Sequence, residues 1–122
     1  MLNLEGKVKI GRKKGTKLGF STINISVPRT VKKDQWGIYF SLIKIADKFY
    51  PGITHLGPPK TFSISNATCE THILNFKGDL YGKQVKKRLV FKFREVEKFP
   101  TANKLKKQIK KDIKAAKKFF GL

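Results

Sequence analysis

Apolar and polar positions alternate, or run continuously apolar, in six short segments: Leu4 to Ile10, Phe20 to Val27, Ile38 to Ile45, Phe49 to Leu56, Thr68 to Phe76 and Val85 to Phe93. A period of two predicts strands. Turn-forming residues separate them, among them Pro28-Arg29, Gly57-Pro58-Pro59 and Lys77-Gly78-Asp79. Six short strands joined by such turns predict an antiparallel barrel or sandwich rather than a parallel sheet. Beyond Phe93 the period changes. Leu105, Ile109, Ile113, Ala116 and Phe120 recur at helical spacing, with Thr101 placed to cap the start and Gly121 to end the run. The pattern therefore predicts strands over about residues 4–93, an amphipathic helix over about residues 102–120, and one domain over residues 1–122.

Charge changes the picture more than composition does. Lys and Arg number 28 against 8 acidic residues, a net charge of +20 that attracts any polyanion. Two readings stand side by side: a nucleic-acid partner, or a solubilising lysine coat. The helix carries Lys104, Lys106, Lys107, Lys110, Lys111, Lys114, Lys117 and Lys118 against Asp112 alone, and its narrow apolar stripe suits covering the barrel. Repulsion at such a charge favours a monomer. Cys69 is a single cysteine without a disulfide partner in the chain, no secretory leader pattern is present, and no apolar run approaches the length of a membrane span. A soluble, cytoplasmic protein is expected.

Several chemistries are excluded by pattern. The chain has no Gly-x-x-x-x-Gly-Lys-Ser/Thr loop, no Cys pair, no His-x-x-x-His spacing and no Gly-x-Ser-x-Gly elbow. What remains is more specific. Gly11, Gly15 and Gly19, with Lys14 and Lys17 between them, form a turn whose backbone amides and cations suit a phosphate. It leads into Thr22-Ile23-Asn24, whose oxygens at i and i+2 project to one side of a strand and suit a hard cation such as Mg²⁺. Glu70 stands inside the strand segment Thr68 to Leu74, an unusual place for an acid in so basic a chain. It is read either as the partner of a lysine or as a general base. Arg94 ends the last strand, either as a surface cation or as a donor aimed at a ring or carbonyl.

In order along the chain, these residues resemble the ATP-dependent riboflavin kinases, including the kinase half of bifunctional FAD synthetases. The resemblance covers nearly the whole length. It rests on Glu5-Gly6-Lys7-Val8, Leu18-Gly19-Phe20, Thr22-x-Asn24, Gly37-Ile38-Tyr39, Gly57 with Thr61-Phe62, Glu70-Thr71-His72-Ile73-Leu74 and Asp79-Leu80-Tyr81-Gly82. It continues through Arg94-Glu95-x-x-Lys98-Phe99, Leu105, Gln108-Ile109 and Asp112. A literal copy of the family tetrapeptide, Pro100-Thr101-Ala102-Asn103, is a decoy. It follows Lys98-Phe99 and opens a helix, whereas the family motif follows Leu-Gly-Phe, which here precedes Ser21-Thr22-Ile23-Asn24.

The resemblance implies a six-stranded antiparallel Greek-key barrel with a C-terminal amphipathic α-helix. It implies transfer of the γ-phosphate of ATP to the ribityl 5'-hydroxyl of riboflavin, giving FMN and ADP. Glu70 would be the base and Thr22 and Asn24 would hold Mg²⁺ and the ATP phosphates. Gly11, Gly15 and Lys17 would flank the phosphates, Ile73, Asn75 and Tyr81 would line the nucleotide site, and Arg94 and Phe99 would meet the flavin. Departures from the family pattern fall at Ser21, Ile23, His55, Pro59, Lys60 and Asn75, and no adenylyltransferase motif occurs. The competing expectation is a non-catalytic basic barrel that binds nucleic acid or flavin.

Overall fold

The computed structural model describes residues 2–9, 21–58, 67–76 and 78–122. Six antiparallel strands are present: β1 (Leu2–Lys7), β2 (Ile23–Ile25), β3 (Gly37–Ile45), β4 (Lys48–Gly57), β5 (Thr68–Ile73) and β6 (Gln84–Arg94), followed by helix α1 (Ala102–Phe120). Their order across the sheet is β1-β6-β3-β4-β5-β2. Strands β3, β4 and β5 form a meander and β6 returns beside β3, which is the Greek-key connection. The sheet curls until its edges meet, where the Lys9 amide donates to the Asn24 carbonyl at 2.9 Å. Among the described residues that one bridge ties together the two edges of a curled half-barrel. The expected barrel with a C-terminal helix is therefore the observed fold.

Alternation sends one set of side chains inward. Ile43, Leu56, Cys69, Val85 and Leu89 are almost wholly buried there, each large aliphatic contributing roughly 1.5–3 kcal/mol against an exposed state. The interior also holds polar groups. Ser41, Thr54 and Thr71 join hydroxyl to hydroxyl across three strands at 2.7 Å each, and Ser41 also donates to the Gly52 carbonyl. Lys87 is 1% exposed, and its ammonium donates to the carbonyls of Cys69 and Ile23 at 3.1 and 3.3 Å. Burial lowers its pKa, and burial raises that of the neighbouring Cys69 thiol.

The opposite, outward face is half covered by α1. Leu105, Ile109 and Ala116 pack down from the helix, and Ile113, Ala116 and Phe120 meet Ile38, Phe40 and Ile53 in a second apolar cluster. Both helix ends follow their sequence signals. Thr101 accepts from the Lys104 amide at 3.2 Å, and Gly121 adopts φ 73°, which favours glycine. The four residues of the literal tetrapeptide thus serve as a helix start. Asp112 joins the buried face of the helix, where an apolar residue would be the default.

Strand limits differ from the expected ones for local reasons. β5 stops at Ile73 because Asn75 turns the chain with φ 54°, a conformation that asparagine tolerates. β2 keeps three residues ahead of Pro28. β6 runs from Gln84 to Arg94 with two register slips against β3.

Candidate active site

A single row of cross-strand neighbours carries most of the chemistry. Asn24 on β2 stands opposite Glu70 on β5, Glu70 opposite His55 on β4, His55 opposite Ile38 on β3, and Ile38 opposite Arg94 on β6. Directly paired residues share a face. Cys69 and Thr71 point into the barrel, so Glu70, and with it the whole row, faces outward. Asn24, His55 and Glu70 are nonetheless buried, at 5%, 3% and 8% exposure. Glu70 is thus on the outer wall rather than in the barrel interior. With neighbouring strands about 4.8 Å apart, Glu70 is about one spacing from Asn24 and roughly 14 Å from Arg94.

Along this wall, between the sheet and α1, runs a cleft of about 470 Å³ counted to its open mouth. Thr22, Ile38, Ile53, His55, His72 and Arg94 line the sheet side, and Leu105, Ile109, Asp112 and Ile113 the helix side. At one end Arg94 is held tightly. Its Nε and Nη2 donate to the two carboxylate oxygens of Asp112 at 3.2 and 2.9 Å, and Nη1 donates to the Glu95 carbonyl at 3.1 Å. Gln108 donates to Asp112 at 2.9 Å. The Arg94 guanidinium also lies 5.9 Å from the centre of the Phe99 ring. Two residues chosen separately from the sequence are therefore adjacent, and a charge-assisted network fixes one of them.

The other end is built from the short β2. Thr22 lies one residue before it, and its Oγ1 is buried without a hydrogen-bond partner among the described residues. An unsatisfied buried hydroxyl costs about 1–3 kcal/mol unless something fills the place. The backbone here is clamped, since His72 Nδ1 donates to the Ser21 carbonyl at 2.8 Å. Among the described residues no group of three or more His, Cys, Asp and Glu could hold a metal. A divalent ion would instead rely on neutral protein oxygens, water and phosphate, a set that suits Mg²⁺. The buried Thr22 oxygen and the Asn24 carboxamide fit that description.

Not every expected residue reaches the site in the same way. Ile73 is 4% exposed in the barrel core, so alternation turns its side chain away from Glu70. Asn75 lies exposed in the turn after β5. Tyr81 is 62% exposed in a turn whose Gly82 amide donates to the Val8 carbonyl. That contact sets it beside the strand end that meets Asn24. Gly11, Gly15 and Lys17 lie outside the described residues. The sequence reading missed Asp112 as the holder of Arg94, although an acid on an apolar helix stripe was a visible signal.

A family model for riboflavin kinase, the flavokinase family, matches residues 1–120, and the chain belongs to that family. It is 38% identical over 96% of its length to the trifunctional protein RibF/MnmA of Mycoplasmoides gallisepticum, of which it covers 18%. It is 33% identical over its full length to the RNA-binding riboflavin kinase RibR of Bacillus subtilis, of which it covers 53%. The chain thus spans about half or less of these relatives. The crystal structure of riboflavin kinase from Trypanosoma brucei superposes with a TM-score of 0.64 at 26% identity, covering 98% of this chain and 79% of that one.

Proposed function

We propose that this chain is a riboflavin kinase, forming FMN and ADP from riboflavin and ATP. The observation that carries the reading is Glu70, a buried carboxylate in register between Asn24 and His55 and on the same face as Arg94. Three strand spacings, roughly 14 Å measured along the sheet, separate the backbone positions of Glu70 and Arg94, which suits a substrate with a reacting hydroxyl at one end and a flat ring at the other. Arg94 and Phe99 receive the ring. Glu70 accepts the proton of the ribityl 5'-hydroxyl as its oxygen bonds to the γ-phosphorus and the bond to the ADP oxygen breaks. Thr22 and Asn24 hold the divalent ion, which when bound neutralises the phosphate charge. Gly11, Gly15 and Lys17 flank the phosphates, and Asn75 and Tyr81 approach the nucleotide. Ile73 contributes only through its backbone.

Phosphoryl transfer asks mainly for positioning and charge neutralisation, and the cleft between sheet and helix supplies both with few residues. We place the reaction in the cytoplasm, where ATP is present and the Cys69 thiol stays reduced, and read the domain as a monomer. The test is conversion of riboflavin to FMN with ATP and Mg²⁺, followed by chromatography with fluorescence detection. Glu70→Gln should lower turnover about 10²- to 10⁴-fold while riboflavin binding persists. Equal FMN formation by the variant would remove Glu70 from its role, and no FMN from the wild type would sink the kinase reading.

A further inference from the structure

The outer face of β3 and β6 continues beyond the end of α1, away from the cleft, and it carries a pattern the kinase reaction does not use. At Phe40 the register slips, so that Phe91 pairs with Phe40 while Arg88, only three residues earlier, pairs with Leu42. One extra residue in β6 thus puts Phe91 and Arg88 on the same face, where strict alternation would separate them. Further along, Lys44 stands between Lys86 on β6 and Phe49 on β4. The rings are accessible: Phe91 is 49% exposed, Phe49 47% and Phe119, from the last turn of α1, 47%.

Rings and cations alternate along this face. Phe91 and Phe119 stack at 5.6 Å and 20°, and the next aromatic, Phe49, has the Arg88 guanidinium 5.2 Å and the Lys44 ammonium 5.9 Å from its ring centre. From the Phe91 row to the Phe49 row the stripe runs roughly 15 Å along the strands. Stacking surfaces interleaved with cations on an open sheet match the requirements of an unpaired nucleic-acid strand, whose bases need flat partners and whose phosphates need positive charge. Charge complementarity is strong at +20. A lipid surface is the poorer fit, because the apolar stripe of α1 is already spent on the sheet and Arg88 sets Phe49 apart from the stacked Phe91 and Phe119.

We propose that this stripe binds single-stranded RNA or DNA, at a place distinct from the kinase cleft. The probe is a fluorescein-labelled 12-nucleotide oligouridine, followed by anisotropy at several salt concentrations, with a 12-base-pair duplex and heparin as competitors. The single strand should bind at least tenfold tighter than the duplex. Phe49→Ser/Phe91→Ser should weaken it by roughly tenfold or more per ring, with FMN formation unchanged as the measure of an intact fold. Lys44→Gln/Lys86→Gln should reduce the salt slope by about 1.4, from about 0.7 per cation on a single strand, and serves if the ring variant does not fold. Competition by duplex or heparin equal to that by the single strand, with binding and slope untouched in the variants, would overturn the proposal in favour of diffuse charge. Loss of binding to phosphatidylglycerol vesicles, with oligouridine binding unaffected in the ring variant, would reassign the stripe to a lipid surface.

Discussion

The two ends of the cleft are built on opposite plans. At the Arg94 end every functional atom is already engaged: two bonds to Asp112, one to Glu95, a third donor to Asp112 from Gln108, and Phe99 alongside. At the Thr22 end a three-residue strand carries a buried hydroxyl that lacks a partner among the described residues. The first end is finished before substrate arrives and can orient a rigid ring without further ordering. The second keeps an oxygen in reserve for a ligand that brings its own charge and water. In the kinase reading proposed above, preorganisation lies where the substrate is flat, and unsatisfied polarity lies where it is ionic.

This contrast predicts substitutions of opposite sign. Asp112→Ala removes a buried carboxylate from the finished end and strands Arg94. Unfolding by denaturant should show a loss of about 2 kcal/mol, discounted because the Arg94 side chain is 20% exposed. Asp112→Asn keeps the shape and should raise the riboflavin KM about tenfold, the cost of roughly one charge-assisted hydrogen bond, with kcat less affected. Equal losses in kcat and in KM would instead mark Asp112 as structural only.

At the waiting end, Thr22→Val is nearly isosteric and deletes an oxygen that no described group satisfies. Stability should hold or rise by up to about 1 kcal/mol, while the Mg²⁺ concentration for half-maximal FMN formation rises several-fold. A clear loss of stability, or an unchanged metal requirement, would erase the difference between the two ends.

The smallest effect concerns pH and the barrel interior. Burial holds the Lys87 pKa below its ordinary 10.5. Between that lowered value and 10.5 the unfolded chain binds more protons than the folded one, so stability rises with pH across the window. Lys87→Met should flatten the rise while changing neutral-pH stability little, since apolar replacement of a buried charge is often neutral or better. An undiminished slope between pH 7 and 10 in the variant would assign the titration to other groups.

Much of this was readable from residues alone, and the exceptions share a cause. The helix was legible to its ends because Thr101 and Gly121 are local signals acting on adjacent backbone. Glu70 was legible as an acid that strand propensity does not explain. Lys87 was hidden inside Val85-Lys86-Lys87-Arg88-Leu89, where a run of charges reads as solvent-facing although parity with Val85 and Leu89 points inward. The orientations of Phe91 and Phe93 were beyond any local pattern. Counted by twos from Val85, Phe91 and Phe93 read as interior residues, yet Phe91 is half exposed and Phe93 packs in the outer cluster with Phe40. Pairing with β3 decides where the extra residues go, and no window of β6 contains that information.

Those two slips in β6 give residue count a meaning separate from residue identity. The first slip brings Phe91 to the outer face beside Arg88, and the second restores the parity with which Arg94 shares that face. Deleting Val90 would leave Leu89 opposite Ser41 and Phe91 opposite Phe40, so every pairing survives, but the local bend and twist of the bulge would go. Strand β6 is bent twice on its way to the Arg94 end of the cleft. The extra residues set how sharply the strand bends rather than which residues meet across it.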